Sequence, residues 1–196
     1  LFEKVKEALF LLDEGENSIR HNRSRDIPKL RLGASSTLTR YVLLSHLENY
    51  IAHFPHVRIT ISCQSTYQTL HLLDEEKIDL GLIGRPQKLR GYYFHPLLKI
   101  RDTFVCTRQY LENQKKLYPD EPLIQAATFM MLDEDNITRQ TVNAQLKEHH
   151  VELSHILEVT TMDLLIQFAE IGLGIACVIR DFVKKELEEG TLVEVP

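Results

Sequence analysis

The sequence predicts an α/β protein whose strands form parallel sheets, and three observations support this class. Residues 30–44 are typical of a short strand that passes through a turn rich in serine and threonine into a helix. The same order recurs at residues 57–76, and an apolar strand follows at residues 78–84. The order restarts at residue 129, which indicates a second lobe built like the first. Strands joined through helices in this way lie parallel, because such crossover connections are right-handed.

The composition indicates an ordinary globular chain. Its 196 residues are 43% hydrophobic and 26% charged, and no apolar run approaches the length of a membrane-spanning helix. The formal net charge of -5 argues against a broad basic surface of the kind that grips nucleic acid. We therefore expect no membrane partner and no contact with DNA through these residues.

The cysteines and histidines indicate a reducing compartment and no metal site. Cys63, Cys106 and Cys177 stand singly among apolar residues, and an odd count without CxxC spacing is typical of cytoplasmic proteins. Buried structural thiols are the favoured interpretation, and a peroxide-sensing thiol is the alternative. The nine histidines include two close pairs, but neither pair has an acidic or cysteine partner at ligand spacing. We expect no cofactor.

The amino-terminal residues differ from the rest of the chain. Apolar residues from Leu1 to Leu12 recur at helical spacing with charged residues between them, which is typical of the end of a dimerising helix. Residues 15–29 are polar and lack periodicity, as a linker would. We therefore assign residues 1–26 to the end of a linker helix and the linker itself, and we expect the globular part to begin near Ile27.

Hydrophobic periodicity predicts the elements of the first lobe. A helix begins at Leu38, because apolar residues repeat every three or four positions, and Pro55 ends it. Residues 57–64 alternate between apolar and polar side chains, which predicts an edge strand with one face solvated or covered by a partner. A helix at residues 67–76 and a strand at residues 78–84 complete the lobe.

The second lobe has the same order of elements. Residues 92–108 are typical of two extended segments. The remaining predictions are strands at residues 129–132, 155–160 and 175–179, helices at 110–116, 137–149, 162–171 and 181–189, and a terminal strand within 192–196. Polar residues stand immediately before the helices at 137 and 162, so each begins at a turn that carries capping side chains.

Polar turns at the carboxyl ends of the first three strands are candidate ligand contacts. They comprise residues 35–37, 64–66 and 84–85, and in a parallel sheet they face the same end. Backbone N–H groups at helix N-termini, together with hydroxyl groups, favour a small polar or anionic ligand. The alternative is that these hydroxyls only cap their own helices, as Ser and Thr usually do at such positions.

The order of several segments resembles the effector-binding domain of LysR-type transcriptional regulators. The resemblance rests on LRLGASSTLTRYVLL, a Phe-Pro pair that closes the helix, a strand opening on Val57, DLGLIG, EVTTMDLLIQFAEIGLGIACV and the terminal GTLVEVP. It covers residues 27–196 and implies two Rossmann-like subdomains with a ligand cleft between them, a fold like that of type 2 periplasmic binding proteins. Residues 27–103 with 179–196 would form subdomain I, and residues 104–178 would form subdomain II.

The resemblance also implies where the effector binds. Carried over by position, the contacts are Ser35, Ser36, Thr37, Ser65, Thr66, Asn136, Thr138, Thr160 and Thr161, with Phe104 near the hinge. Three carboxylates at residues 133–135 depart from the expected pattern, because they would repel an anionic effector unless Arg139 or Arg85 faces the cleft. We expect an anion such as a carboxylate, since acidic residues in a capping turn more often point to solvent, but the charge of the effector stays open.

Two functions from different classes fit these predictions. The favoured one is a DNA-binding transcriptional regulator that senses a small-molecule effector and contacts DNA only through a winged helix-turn-helix absent from these residues. The alternative is a solute-binding receptor of an uptake system, which has the same fold. The amphipathic segment at the start favours the regulator, since an exported monomeric receptor has no use for a dimerising helix. An enzyme is not expected, because Cys63 and the histidines offer no nucleophile or acid-base pair by spacing.

The resemblance implies self-association as well, as a homodimer or tetramer. We expect the edge strand at residues 57–64 and the helix at residues 38–54 of one protomer to contact the second lobe of its partner. An isologous interface of this kind buries on the order of 1,200–2,000 Å².

Overall fold

The computed structural model describes residues 27–86 and 91–195, in which two α/β lobes are each built on their own sheet. The first sheet has the strand order β2-β1-β3, where β1 is Lys29–Ala34, β2 is Arg58–Cys63 and β3 is Leu80–Leu82. Both pairs of neighbouring strands are parallel. The predictions for residues 1–26 lie outside the described residues.

Two helices belong to the first sheet. Helix α1 consists of three consecutive segments, which are the α-helical turn Ser36–Leu38, the π-helical turn Thr39–Leu43 and the α-helix Leu44–His53. Helix α2 is Thr66–Asp74. A methyl group of Thr69 in α2 would lie 2.8 Å from a Cβ atom at Gly33 and 2.9 Å from one at Gly81. The two glycines therefore allow α2 to approach the strands closely.

The second sheet is mixed and has the order β6-β5-β7-β4-β8. Its strands are β4 at Asp102–Cys106, β5 at Thr128–Leu132, β6 at His155–Val159, β7 at Ile175–Ile179 and β8 at Val193–Glu194. Strands β5, β6 and β7 are parallel, whereas β4 is antiparallel to both β7 and β8. Asp102 lies opposite Ile179, so β4 begins at the end of the sheet where β7 finishes.

Helices cover both faces of the second sheet. They are α3 at Arg108–Leu117, α4 at Leu123–Ala126, α5 at Ile137–Glu148, α6 at Met162–Glu170, a 3-10 turn at Arg180–Val183 and α7 at Lys184–Glu189. On one face, Met130 and Val178 form a core with Leu165 of α6. On the other face, Met131 and Cys177 pack against Val142 of α5. Burial on both faces explains why the central strand β7 is apolar along its whole length. No helix of the described residues is long and apolar enough to cross a membrane.

The predicted fold class is confirmed, and so is the position of the alternating strand. Strand β2 lies at an edge of the first sheet, with Arg58 and Thr60 exposed and Ile59 and Ile61 half-buried. The predicted helices and the predicted strands of the two sheets lie within a few residues of the observed ones. These elements have strong periodicity, and for such elements local pattern decides the structure.

Two predictions disagree with the structure, and one helix was missed. Of the two extended segments expected within residues 92–108, only Asp102–Cys106 forms a strand, and the short helix α4 was not predicted. The assignment of residues 179–196 to subdomain I disagrees with the pairing of β8 with β4 in the second sheet. Val183 and Leu192 are buried in the core of that second lobe, 0% and 1% exposed, so this segment packs where its apolar side chains have partners. The other subdomain boundaries stay predictions.

Candidate functional site

Four helix N-termini face one another between the two sheets. Helices α1 and α2 begin where β1 and β2 end, and helices α5 and α6 begin where β5 and β6 end. Two hydrogen bonds join the lobes here. Tyr67 in α2 donates to Gln140 in α5 over 3.0 Å, and Tyr41 in α1 donates to Asp163 in α6 over 3.0 Å. We call the space between these four N-termini the cleft.

Four of the predicted contact residues are helix caps. The hydroxyl of Ser35 accepts a hydrogen bond of 3.1 Å from the Leu38 amide in α1, and that of Thr161 accepts one of 3.3 Å from the Leu164 amide in α6. Asn136 caps α5 in the same way, and Ser65 forms a capping box with α2. The oxygens of these four side chains each satisfy an N–H group of the first helical turn. Their O–H and NH2 groups remain donors, so their contact with an effector stays a prediction.

Five hydroxyl groups beside the caps have no such role. They belong to Ser36, Thr37, Thr66, Thr138 and Thr160, which we call the cleft hydroxyls. None of these five side chains takes part in a hydrogen bond between residues that the structure describes. Each lies at the start of one of the four helices or directly before its cap, so the structure brings all five to the cleft. Both their donor and their acceptor sites are available to a ligand.

Phe104 does not join this group. Its ring packs edge-on against Phe129, with the ring centroids 5.6 Å apart. It lines a groove of about 300 Å³ together with residues from the carboxyl-terminal half of α5, which are Val142, Gln145, Leu146 and His149, and with Val151. The cleft lies at the other end of α5. Strand alternation therefore directs Phe104 beneath α5 and away from the cleft hydroxyls.

Charged residues near the cleft are largely paired with groups of the protein. Arg139 is only 4% exposed and donates a hydrogen bond of 2.9 Å to the carbonyl oxygen of Leu132, where β5 ends. Arg40 forms an ion pair of 3.2 Å with Asp163, and Arg85 lies 5.6 Å from the ring centre of Phe94. The acidic residues 133–135 are exposed. The buried Arg139 thus holds the end of β5 through a hydrogen bond, a role that the sequence did not indicate.

Three residues of the site were missed by the sequence analysis. Arg40 and Tyr41 follow Thr37 by three and four positions, so they lie on its side of α1, and Asp163 follows the cap Thr161 by two. Helical spacing from Thr37 was therefore a signal that could have found Arg40 and Tyr41, whereas no local pattern indicated Asp163. Tyr41 also stacks on Phe182 of the second lobe, with the ring centroids 4.1 Å apart and the ring planes 7° from parallel.

Burial raises the pKa of two side chains of the lobes. Burial and the hydrogen bond to Asp163 raise the pKa of Tyr41 to about 12, so its hydroxyl remains a donor at any physiological pH. Burial raises the pKa of Asp102, the first residue of β4, to about 6. Among the described residues there is no cluster of three or more His, Cys, Asp or Glu side chains that could hold a metal ion. The arrangement offers hydrogen-bond donors to a small ligand.

Comparison with known proteins gives one consistent family. The model of the LysR substrate binding domain matches residues 23–196. The HTH-type transcriptional regulator YeiE of Escherichia coli is 24% identical over 199 residues, which are 96% of this chain and 63% of the relative. The HTH-type transcriptional regulator CbbR of Rhodospirillum rubrum is 23% identical over 96% of this chain and 62% of its own length. The chain therefore spans less than two thirds of these relatives.

Solved structures have the same fold. The CcmR regulatory domain of Synechocystis PCC6803, solved in complex with 2-PG, superposes with a TM-score of 0.69 at 19% identity, over 85% of this chain and 79% of that one. ArgP from Mycobacterium tuberculosis superposes with a TM-score of 0.73 at 16% identity, over 96% of this chain and 63% of that one. At these identities the likeness concerns the fold alone.

Proposed function

Because the chain belongs to the family of LysR substrate-binding domains of transcriptional regulators, we propose that it is the effector-sensing part of a DNA-binding regulator. The family agrees with the predicted resemblance and consists of effector-binding domains, not enzymes. The alternative of an uptake receptor is not favoured, since the matched relatives are HTH-type regulators. A regulator of this kind acts in the cytoplasm, and DNA contact would belong to a part of the protein outside these residues.

One observation carries the proposal, which is the arrangement of the cleft. Four helix N-termini from two lobes face each other and bring five hydroxyl groups with them. Free N–H groups at such termini carry a partial positive charge, so they stabilise a small polar or anionic ligand by about 0.3–1 kcal/mol each. A small acidic metabolite therefore fits the cleft best. The exposed position of the acidic residues 133–135 supports this choice.

The effector would act by changing how closely the lobes approach. A ligand that contacts α1 and α2 on one side and α5 and α6 on the other binds the closed arrangement more tightly than an open one. It therefore shifts the population toward closure by its differential affinity. In a homodimer this change would alter the spacing of the subunits, and with it the spacing of the DNA-binding parts.

A two-fold dimer is the assembly that we propose. Helix α1 exposes Leu44 and Ile51, which are 62% and 52% accessible, and β2 beside it is an unpaired edge. In the second lobe β6 is likewise an edge strand, and its Ile156 is 43% exposed. If α1 and β2 of one protomer pack on the second lobe of its partner, the same contact occurs twice across the two-fold axis. Both apolar surfaces are then covered in each protomer, as an isologous interface requires.

The test begins with a search for the effector. A thermal-shift screen of the chain against small metabolic acids should find a compound that stabilises it, because a ligand at a hundredfold its dissociation constant adds about 2.7 kcal/mol. Calorimetry then measures this compound on variants of the cleft hydroxyls. Ser36→Ala, Thr66→Val and Thr160→Val should each weaken binding by roughly tenfold or more, since a hydrogen bond to a charged ligand contributes about 1.5–3 kcal/mol.

Thr107→Ala is the matched control. It also removes a capping hydroxyl, that of α3, but this cap follows the end of β4, at the opposite end of the second sheet from the cleft. We expect it to lower the unfolding free energy by about 0.5–2 kcal/mol and to leave the affinity nearly unchanged. If the three variants of the cleft hydroxyls bind the compound as tightly as wild type, the ligand lies elsewhere and the proposed site is wrong.

A further inference from the structure

One carboxylate of the second lobe is held by donors of the first. The Asp163 side chain accepts a hydrogen bond of 3.0 Å from the Tyr41 hydroxyl. Its other oxygen lies 3.2 Å from a guanidinium nitrogen of Arg40. Arg40 and Tyr41 both belong to the π-helical turn of α1, a feature that is rare in proteins and frequent at functional sites.

This carboxylate stands beside the place proposed for an acidic effector. Asp163 lies in the first turn of α6, where the helix N-terminus favours a negative charge. On the opposite side, Arg40 and Tyr41 lie about one helical turn along α1 from Thr37. Asp163 therefore already occupies a pair of donors of the first lobe that lie about one helical turn from the cleft hydroxyl of Thr37.

The Asp163 carboxylate can be replaced on Arg40 and Tyr41 by another acidic group. The side chains of Arg40 and Asp163 are 62% and 32% exposed, and an ion pair with this much access to water is weak. The Tyr41 hydroxyl, in contrast, is partly buried and protonated at physiological pH, so it needs an acceptor whichever group supplies it. An acidic group of a ligand satisfies both donors as well as Asp163 does.

We propose that Asp163 is an internal competitor of the effector, whose acidic group binds Arg40 and Tyr41 in its place. This inference rests on the proposed function and adds to it the residues that recognise the acid. The apparent affinity of a ligand falls by the fraction of molecules whose site is open. If Asp163 occupies the donors in most molecules, its removal increases the affinity for an oxyanion by about tenfold.

Inorganic phosphate is the probe that tests this exchange. It is titrated at constant ionic strength into the isotope-labelled chain, and NMR signals of the α1 and α6 amides report the affinity. Asp163→Asn should bind phosphate about tenfold more tightly than wild type. Tyr41→Phe in the Asp163→Asn background should lose most of this gain. Glu170→Gln is the matched control, because it removes the same charge from the exposed carboxyl-terminal end of α6, and it should bind as wild type does.

The wild-type chain gives a second readout that does not depend on a variant. If phosphate replaces the carboxylate, the carbon resonance of the Asp163 carboxyl group shifts as the site fills. A resonance that stays constant at saturation overturns the inference, as does an Asp163→Asn affinity equal to or below that of wild type. An equal gain for Glu170→Gln, or no saturable binding to any variant, also overturns it.

Failure of the proposed binding site can be distinguished from failure of the inference about Asp163. If Thr66→Val and Thr160→Val weaken phosphate binding while Asp163→Asn leaves it unchanged, the cleft binds the anion and only the competitor is wrong. If Asp163→Asn strengthens binding while both threonine variants bind as wild type does, the Arg40 and Tyr41 donors are right and the cleft hydroxyls are not the ligand contacts.

Discussion

Gly84 in the first lobe lies against Ile137 in the second so closely that a Cβ atom at residue 84 would be 2.8 Å from the Ile137 Cγ2 atom. Real Cβ atoms essentially never approach another atom to this distance. The contact joins the end of the first sheet to the first residue of α5, so it limits how closely the lobes approach at this side of the cleft.

Gly84→Ala should therefore strain the contact between the lobes. The added methyl group forces Ile137 to move, and overpacking of this kind typically costs about 1–3 kcal/mol. We expect a lower midpoint of thermal unfolding. In an Ile137→Ala background, which lacks the opposing Cγ2 atom, Gly84→Ala should cost little. An equal cost of Gly84→Ala in both backgrounds would contradict the close contact.

The buried carboxyl group of Asp102 should make stability depend on pH. Its Oδ1 atom has no hydrogen-bond partner among the described residues, and burial raises its pKa from 3.8 to about 6. The folded state thus holds the proton more tightly than the unfolded state. The stabilisation is complete below about pH 4 and is lost as the pH rises to about 6 and above.

Asp102→Asn removes this dependence. The variant should be more stable than wild type by on the order of 1–3 kcal/mol above pH 6, since each pKa unit corresponds to about 1.4 kcal/mol and partial exposure reduces the effect. Below about pH 4 the two proteins should differ little. Urea unfolding at several pH values measures this, with Asp120→Asn as the control at an exposed aspartate. A parallel pH dependence of variant and wild type would refute the assignment to Asp102.

The three cysteines should differ sharply in reactivity. Cys63 is exposed, whereas Cys106 and Cys177 are buried, and burial raises the pKa of their thiols to about 11 and about 12. The reactive species is the thiolate, and two pKa units reduce its share about a hundredfold. In native buffer a disulfide reagent should therefore modify Cys63 alone, and after denaturation it should modify all 3 cysteines. Cys63→Ser should abolish the native reaction, and rapid modification of Cys106 or Cys177 would disprove their burial.

Self-association should depend on the outer side of α1. Leu44→Asp together with Ile51→Asp places charges on residues that are 62% and 52% exposed, so the fold tolerates them while an apolar interface does not. We expect light scattering to give the mass of a dimer for wild type and of a monomer for this variant. Leu117→Asp changes an equally accessible residue, 67% exposed, at the end of α3 and should remain dimeric. A monomeric wild type at micromolar concentration would rule out the dimer.

The order of strands and helices could be predicted because it depends on local pattern. In β2 the alternation from Arg58 to Cys63 identifies both the strand and its place at an edge, since strands buried on both faces have no such alternation. The polar turns could also be predicted from the sequence, because Ser, Thr and Asn before an apolar helix usually cap it. Ser35, Ser65, Asn136 and Thr161 do so.

The contacts between distant segments could not be predicted in this way. The two-residue strand Val193–Glu194 has too few residues for a periodic signal, and the sheet that it joins is decided by where Val183 and Leu192 find apolar partners. Tyr41 and Asp163 are 122 positions apart in sequence. Their pairing depends on how the lobes approach, which no local pattern describes.

The four capping side chains have a consequence for variants of the cleft. Each cap satisfies about one of the four N–H groups that open its helix, so several backbone donors remain at the cleft. These donors belong to the backbone and stay in place when a neighbouring side chain is replaced. Substitutions around the cleft therefore change its shape and its side-chain hydrogen bonds, while the N–H groups at the four helix N-termini are retained.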